Sequence, residues 1–144
     1  MNKKAPTSSV VNLGSGSPQT VVENGTNYVM YCFAAIAGYS AFGSYTGNGS
    51  ADGPFVYCGF RPRYVLIKCS SNPDSWVIED SSRDPYNVDT HYLLADSSGA
   101  EGTTNLRDLL SNGFKCRSAA QNISGYTYTY AAFAENPFKY SLAR

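Results

Sequence analysis

Gly125-Tyr126-Thr127-Tyr128-Thr129-Tyr130-Ala131-Ala132-Phe133-Ala134 alternates rings with small or β-branched residues over ten positions. Successive side chains of a strand point to opposite faces, so Tyr126, Tyr128 and Tyr130 share one face while Thr127, Thr129 and Ala131 occupy the other. The three rings then stand in a row about 7 Å apart. Aromatic and β-branched residues in period two suit a pleated, half-buried surface, and no helical stripe fits them. The stretch predicts a long strand near the end of the chain.

Working outward, the chain matches itself at a shift of one hundred residues. Asn24-Gly25-Thr26-Asn27-Tyr28-Val29-Met30-Tyr31-Cys32-Phe33-Ala34 lies over Ser124 to Ala134, with Gly, Tyr and the Phe-Ala pair coinciding. Tyr39-Ser40 and Tyr140-Ser141 follow, one residue out of step. The duplication predicts a second long strand from Asn27 to Ile36. It divides the chain into residues 1–37, the end of a preceding partial repeat packed on or beside the main domain, and residues 38–144, one complete unit. An edge strand left by a partial repeat has to be covered by the complete unit or by a neighbouring subunit.

Further alternating stretches run over residues 42–46, 55–58, 63–69, 76–80 and 114–118, with weaker ones near Val10 and His91. Ser70-Ser71-Asn72-Pro73-Asp74-Ser75 supplies the proline and asparagine of a hairpin between two of them, and Gly47 to Pro54 is another reversal. Trp76, alternating with Ile78, reads as core. Leu106, Leu109 and Leu110 fit a helical face, but Asn112-Gly113 leads straight into the strand-like Phe114-Lys115-Cys116-Arg117 and reads as a hairpin turn with at most one helical turn before it. The fold class expected is all-β, an antiparallel β-sandwich of jelly-roll type.

Composition narrows the functional classes. With 144 residues the chain can bury roughly 68–70% of its unfolded surface without a staple. Charged residues are only 15%, with Lys+Arg 11 against Asp+Glu 11, so no basic stripe exists to neutralise a row of phosphates or an anionic bilayer. Nucleic acid and membrane are therefore not expected partners. The longest apolar run, Tyr28 to Ala37, is half of the ~20 residues a membrane helix needs, and the N-terminus lacks the apolar core of a secretory signal. The four cysteines, Cys32, Cys58, Cys69 and Cys116, form no Cys-x-x-Cys pair. Cys69 shares a face with Val65 and Ile67, Cys116 with Phe114, and Cys32 with Met30 and Ala34, as buried free thiols in a reducing cytoplasm would.

Several segments together resemble a known family. They are Phe42-Gly43-Ser44-Tyr45-Thr46-Gly47-Asn48-Gly49-Ser50, Asp52-Gly53-Pro54-Phe55-Val56-Tyr57, Gly59-Phe60-Arg61-Pro62, Asp84-Pro85-Tyr86-Asn87, Leu110-Ser111-Asn112-Gly113-Phe114-Lys115 and Ala131-Ala132-Phe133-Ala134-Glu135-Asn136-Pro137-Phe138. In this order they look like the repeated C-terminal β domain of tailed-bacteriophage structural proteins, those of tails and tail fibres. Ala5 to Ala34 resembles the end of the preceding repeat. The resemblance implies a virion component that folds in the host cytoplasm and acts in assembly or host-surface attachment. Other virion proteins would be its partners, in a homo-oligomer for which a trimer is favoured.

The residues themselves point to binding and not to catalysis. His91 is the single histidine and has no Gly-x-Ser-x-Gly elbow near it, so no hydrolytic triad is expected. Glu79 and Asp80 are adjacent on a strand and face opposite ways, whereas glycoside cleavage needs two carboxylates about 5–9.5 Å apart across a sugar. A polysaccharide-degrading enzyme would have to draw on Asp84 with a loop neighbour. Gly47-Asn48-Gly49-Ser50 lacks the lysine of a phosphate cradle, and the aspartates at 52, 74, 80, 84 and 89 make no calcium loop, so neither cofactor nor metal is expected. The loop from Ser81 to Asp89 brings a ring, a guanidinium and two carboxylates together, which makes Arg83, Asp84, Tyr86, Asn87 and His91 the candidate ligand-binding set, with a host glycan as the ligand. The plainer alternative is that Arg83 pairs with Asp80 or Asp84 to pin the loop. Tyr126, Tyr128 and Tyr130 are the candidate oligomer contacts, a stripe that packs in a core or against a neighbouring subunit, the alternative being a row of rings that stacks sugars.

Overall fold

The structure, a computed structural model, describes residue 7, residues 9–11 and residues 25–136. Asn24, Pro137-Phe138, the Tyr140-Ser141 echo and most of the segment before Gly25 lie outside the described residues. The chain divides into two compact units, Met1–Phe33 and Ala34–Arg144.

In the first unit the expected strands are absent among the described residues. Near Val10 there is a turn instead, in which the Thr7 N–H donates to the Val10 carbonyl at 2.8 Å and the Thr7 hydroxyl accepts the Val10 N–H at 3.0 Å. Residues 26–35 carry no strand, and only Ile36 makes an isolated bridge, to Ser40. The alternation of this segment promised one buried face, yet Val29, Met30 and Tyr31 are 80%, 60% and 81% exposed, so both faces meet water and no ladder forms. Cys32 is exposed as well, not buried.

The second unit is all-β, and no helix occurs among its described residues. Eight strands follow in order: β1 (Ser40–Thr46), β2 (Phe55–Tyr57), β3 (Pro62–Cys69), β4 (Val77–Asp80), β5 (Asp89–Leu94), β6 (Gly102–Leu110), β7 (Gly113–Cys116) and β8 (Thr127–Ala134). They form one antiparallel sheet in the order β1-β8-β3-β4-β5-β6-β7-β2, curled until it is nearly closed into a barrel. The β3–β4 and β6–β7 hairpins form as expected.

The tyrosine ladder sits at the centre of the core. Tyr128 is fully buried and stacks on Tyr45 of β1 with ring centroids 5.1 Å apart, while Tyr130 meets Phe114 of β7 edge-on at 5.4 Å. Tyr45 also meets Phe114, at 6.0 Å, so rings from β1, β7 and β8 interlock across the interior. Of the three candidate oligomer contacts, Tyr128 has no surface to offer, while Tyr126 and Tyr130 are half-buried against the same cluster. Val65, Ile67 and Cys69 of β3 complete this core beside Leu109 and Cys116.

Two local departures have clear causes. Trp76, expected in the core, is 43% exposed, because β4 turns Val77 and Glu79 inward instead. The stretch that mimicked a helix is β6, where three residues of β5, from Asp89 to His91, span five of β6, from Arg107 to Thr103. At that irregularity Leu106, Arg107, Asp108 and Leu109 are all buried in succession, which reproduces helical leucine spacing inside a strand.

At the β6–β7 turn Ser111 and Asn112 make the reversal, and Gly113 is already the first residue of β7. A Cβ on Gly113 would lie 2.0 Å from the Val56 carbonyl oxygen, so glycine here lets β2 close on the sheet. Gly113→Ala should therefore lower stability by about 1–3 kcal/mol or more, read as a lower urea midpoint. Gly99→Ala, whose new Cβ meets only the Ser97 hydroxyl, should leave the midpoint nearly unchanged.

Candidate functional site

The loop between β4 and β5 holds four of the five expected ligand residues, with His91 following in β5, and most of their polar atoms hold the loop itself. The Asp80 carboxylate accepts the backbone N–H groups of Ser82 and Arg83 at 3.0 and 2.9 Å, an Asx turn that reverses the chain. Arg83 then bridges two acids, Asp80 at 3.3 Å and Glu101 on the far side. One oxygen of Asp84 accepts the backbone N–H and the hydroxyl of Thr90, both at 2.8 Å, and lies 3.1 Å from Nδ1 of His91. The Thr90 backbone N–H holds the Asp84 carboxyl below the usual carboxylate range against its own desolvation, with the Thr90 hydroxyl and His91 adding to the effect. Asn87 takes the place of a strand residue: its amide donates to the Leu109 carbonyl at 3.1 Å and its oxygen accepts the Leu109 N–H at 2.9 Å. Tyr86 alone projects its ring to solvent, 81% exposed.

A second polar group, unseen in the sequence, lies inside the sheet. Glu79 of β4 and Arg107 of β6 are both fully buried and form an ion pair. Asp89 of β5 stands opposite Arg107 in the ladder and is equally buried, with neither carboxylate oxygen hydrogen-bonded. Desolvation, with the charges of Glu79 and Asp84 adding, pushes Asp89 up to about 7. Burial likewise raises Glu79, against the pull of Arg107. Desolvation would depress Arg107, but Glu79, Tyr45 and Cys116 around it hold it above its ordinary value. The pairing could not be read from the chain, because the partners are separated by 28 residues and a charged residue alternating in a strand reads as the solvent face.

Beside this group a half-open pocket of about 220 Å³ lies over Val77, Tyr92, Leu94 and Leu106, under the loop residues Asp74 and Gln121. Tyr92 and Gln121 drew no notice in the sequence, since a lone Tyr in a weak strand and a Gln in a loop carry no pattern. Among the described residues no three His, Cys, Asp or Glu side chains converge as metal ligands.

An all-β domain with a nearly closed sheet, an ionic group inside it and a pocket at its rim is thus the class of protein defined here. Residues 1–137 match the family described as a domain of unknown function (DUF7483), and the chain belongs to that family. No match to the chain is found among the curated proteins or the solved structures.

The interior acids give two pH-dependent predictions. Asp89 titrates near 3.8 when unfolded and near 7 when folded. Between those values the unfolded chain has released the proton and the folded chain keeps it, so this group lowers stability progressively from about pH 4 to 7, and the loss is complete above that. Asp89→Asn should match the parent in urea unfolding at pH 4 and exceed it at pH 8. Arg107→Met should lose about 3–5 kcal/mol at pH 8 by stranding the Glu79 charge. That loss should shrink at pH 5, where Glu79 without its partner takes up a proton.

Proposed function

We propose that this domain is a non-catalytic structural module of a tailed-bacteriophage virion, part of a tail, fibre or surface appendage that serves assembly or host-surface attachment. One observation carries the reading: in each of several motifs that resemble phage tail proteins, residues serve as framework. Asn48 and Ser50 are latched to the buried Asn122, whose amide donates to Asn48 Oδ1 at 2.9 Å and the Ser50 carbonyl at 2.7 Å. Gly113 admits β2, and Ala132 and Ala134 belong to the core. Asp84 and Asn87 brace the β4–β5 loop. A fold in which these signature residues build shape is suited to a part of an assembly.

The carboxylates and thiols favour the same conclusion. Glu79 is tied to Arg107, and Asp84 is occupied by Thr90 and His91. Burial pushes the Cys58 thiol up to about 11 and raises Cys116, which keeps both as unreactive thiols. All four cysteines are free, in keeping with folding in the host cytoplasm. The finer architecture we read as a jelly-roll-like sandwich, β1-β8-β3-β4 facing β5-β6-β7-β2, joined by the short β4–β5 pairing and packed through Tyr45, Phe114 and Tyr128.

The partner we assign is further copies of the chain, in a trimer, with the exposed row Val29, Met30 and Tyr31 as the contact. Contiguous apolar residues given to water are a feature of association surfaces. Light scattering behind size-exclusion chromatography should find an oligomer of fixed size, and Val29→Ser with Tyr31→Ser should move it toward monomer. A parent chain that stays monomeric at high concentration overturns the assignment.

A further inference from the structure

The pocket beside the buried ion pair has a composition that selects a ligand class. Its floor is apolar: Val77 and Leu106 are buried, and Leu94 lies opposite Val77 in the β4–β5 ladder. One wall is the Tyr92 ring, which is laid across the backbone of Gly102. A Cβ at Gly102 would come within 2.2 Å of the ring, so glycine is what lets the ring lie against β6. The ring is thus a platform backed on one side by main chain. At about 220 Å³ the space falls below the ~300 Å³ at which drug-sized sites begin, and it accommodates one ring and not a longer chain.

The polar rim is made of acceptors. Asp74 accepts the Gln121 side-chain N–H at 3.1 Å, which holds its carboxylate at the rim, while the other end of that amide, Oε1, is closed off from solvent. Ser75 and Thr104 add hydroxyls, and no Lys, Arg or His is among the described lining residues. The Asp74 carboxylate disfavours anions at this rim and accepts O–H donors.

Gln121 is also held in an unusual backbone shape. Its φ is 55°, the left-handed region that a glutamine seldom enters. The Tyr45 hydroxyl donates to its carbonyl at 2.7 Å, and the next residue is the buried Asn122 of the loop latch. Backbone strain maintained by its surroundings at a pocket wall is characteristic of ligand sites.

We propose that this pocket binds one neutral hexopyranose ring of a glycan, with a C–H face of the sugar on Tyr92 and hydroxyls donated to the Asp74 carboxylate at the rim. A neutral sugar ring combines what the pocket demands, an apolar face and several O–H donors without negative charge. The site lies apart from Arg83, Asp84, Tyr86, Asn87 and His91, and it stands whether or not the domain assembles into a virion.

The test is saturation-transfer NMR on the full chain with D-glucose, D-galactose, D-mannose and N-acetyl-D-glucosamine as separate probes. At least one should receive saturation at its ring C–H protons. Gln121→Asn keeps a residue that tolerates left-handed backbone but draws back the amide that holds the Asp74 carboxylate at the rim, and it should weaken binding about tenfold or more. Thr104→Trp, at an exposed rim position, should fill the space and abolish the signal. A folded parent silent toward all four sugars overturns the proposal, as does transfer undiminished in both variants, or binding of choline in place of the sugars. Oligomer size is measured separately, so failure here leaves the assembly reading standing, and the converse holds.

Discussion

Arg107 is a guanidinium with no access to water, and the second unit is built so that it stays charged. Removing such an ion from solvent costs several kcal/mol even after relaxation, so it must be met by an opposite charge inside. Glu79 meets it from β4, two strands away, which sets β5 between them with Asp89 opposite Arg107. A slip of one residue in either pairing would turn one charge outward and strand the other, so the pair fixes register more than it adds net stability. The proton retained on Asp89 completes the balance: one cation, one anion and one neutral acid make the group neutral up to about pH 7.

The same interaction explains what the sequence made visible and what it hid. β8 was legible because its rings are spaced by the pleat and nothing else competes for that pattern. β3, β4 and the hairpin between them followed from alternation and turn residues. The inward face of β4 was not legible, since hydrophobicity ranks Trp76 and Ile78 above Glu79, and only Arg107, far along the chain, reverses that ranking. In β6 the irregularity that turns consecutive residues inward removed the alternation that marks a strand and left a helical echo. Residues 26–35 show the opposite case, in which local propensity is strong and the side chains stay exposed. A strand is a property of a pair, so propensity alone did not make one.

The candidate loop was half legible for a related reason. Its composition resembles that of a paratope, but Asp, Asn and Arg are also the residues that close turns and bridge strands, and sequence does not distinguish the two uses. Geometry does: Asn87 exchanges two hydrogen bonds with one backbone residue, Leu109, which is the work of a strand and not of a recognition tip.

Along the interior, character changes in steps. Stacked rings fill the region of Tyr45, Tyr128 and Phe114, the ionic group follows at Glu79 and Arg107, and beyond it the wall opens at Tyr92 and Gln121. Tyr45 links the first and last of these, since its ring packs on Tyr128 while its hydroxyl holds the Gln121 carbonyl. A pocket over Val77 and Leu106 gives up packing that a larger side chain would restore, at about 1 kcal/mol for each methyl-sized void. Glycine at 102 belongs to the same opening, since a side chain there would have to displace the Tyr92 ring. The strain at Gln121 has its cause in the fold, in the Tyr45 hydroxyl on its carbonyl and the Asn122 latch beside it. The opening has no such cause, and the packing it forgoes is what the proposed ligand would restore.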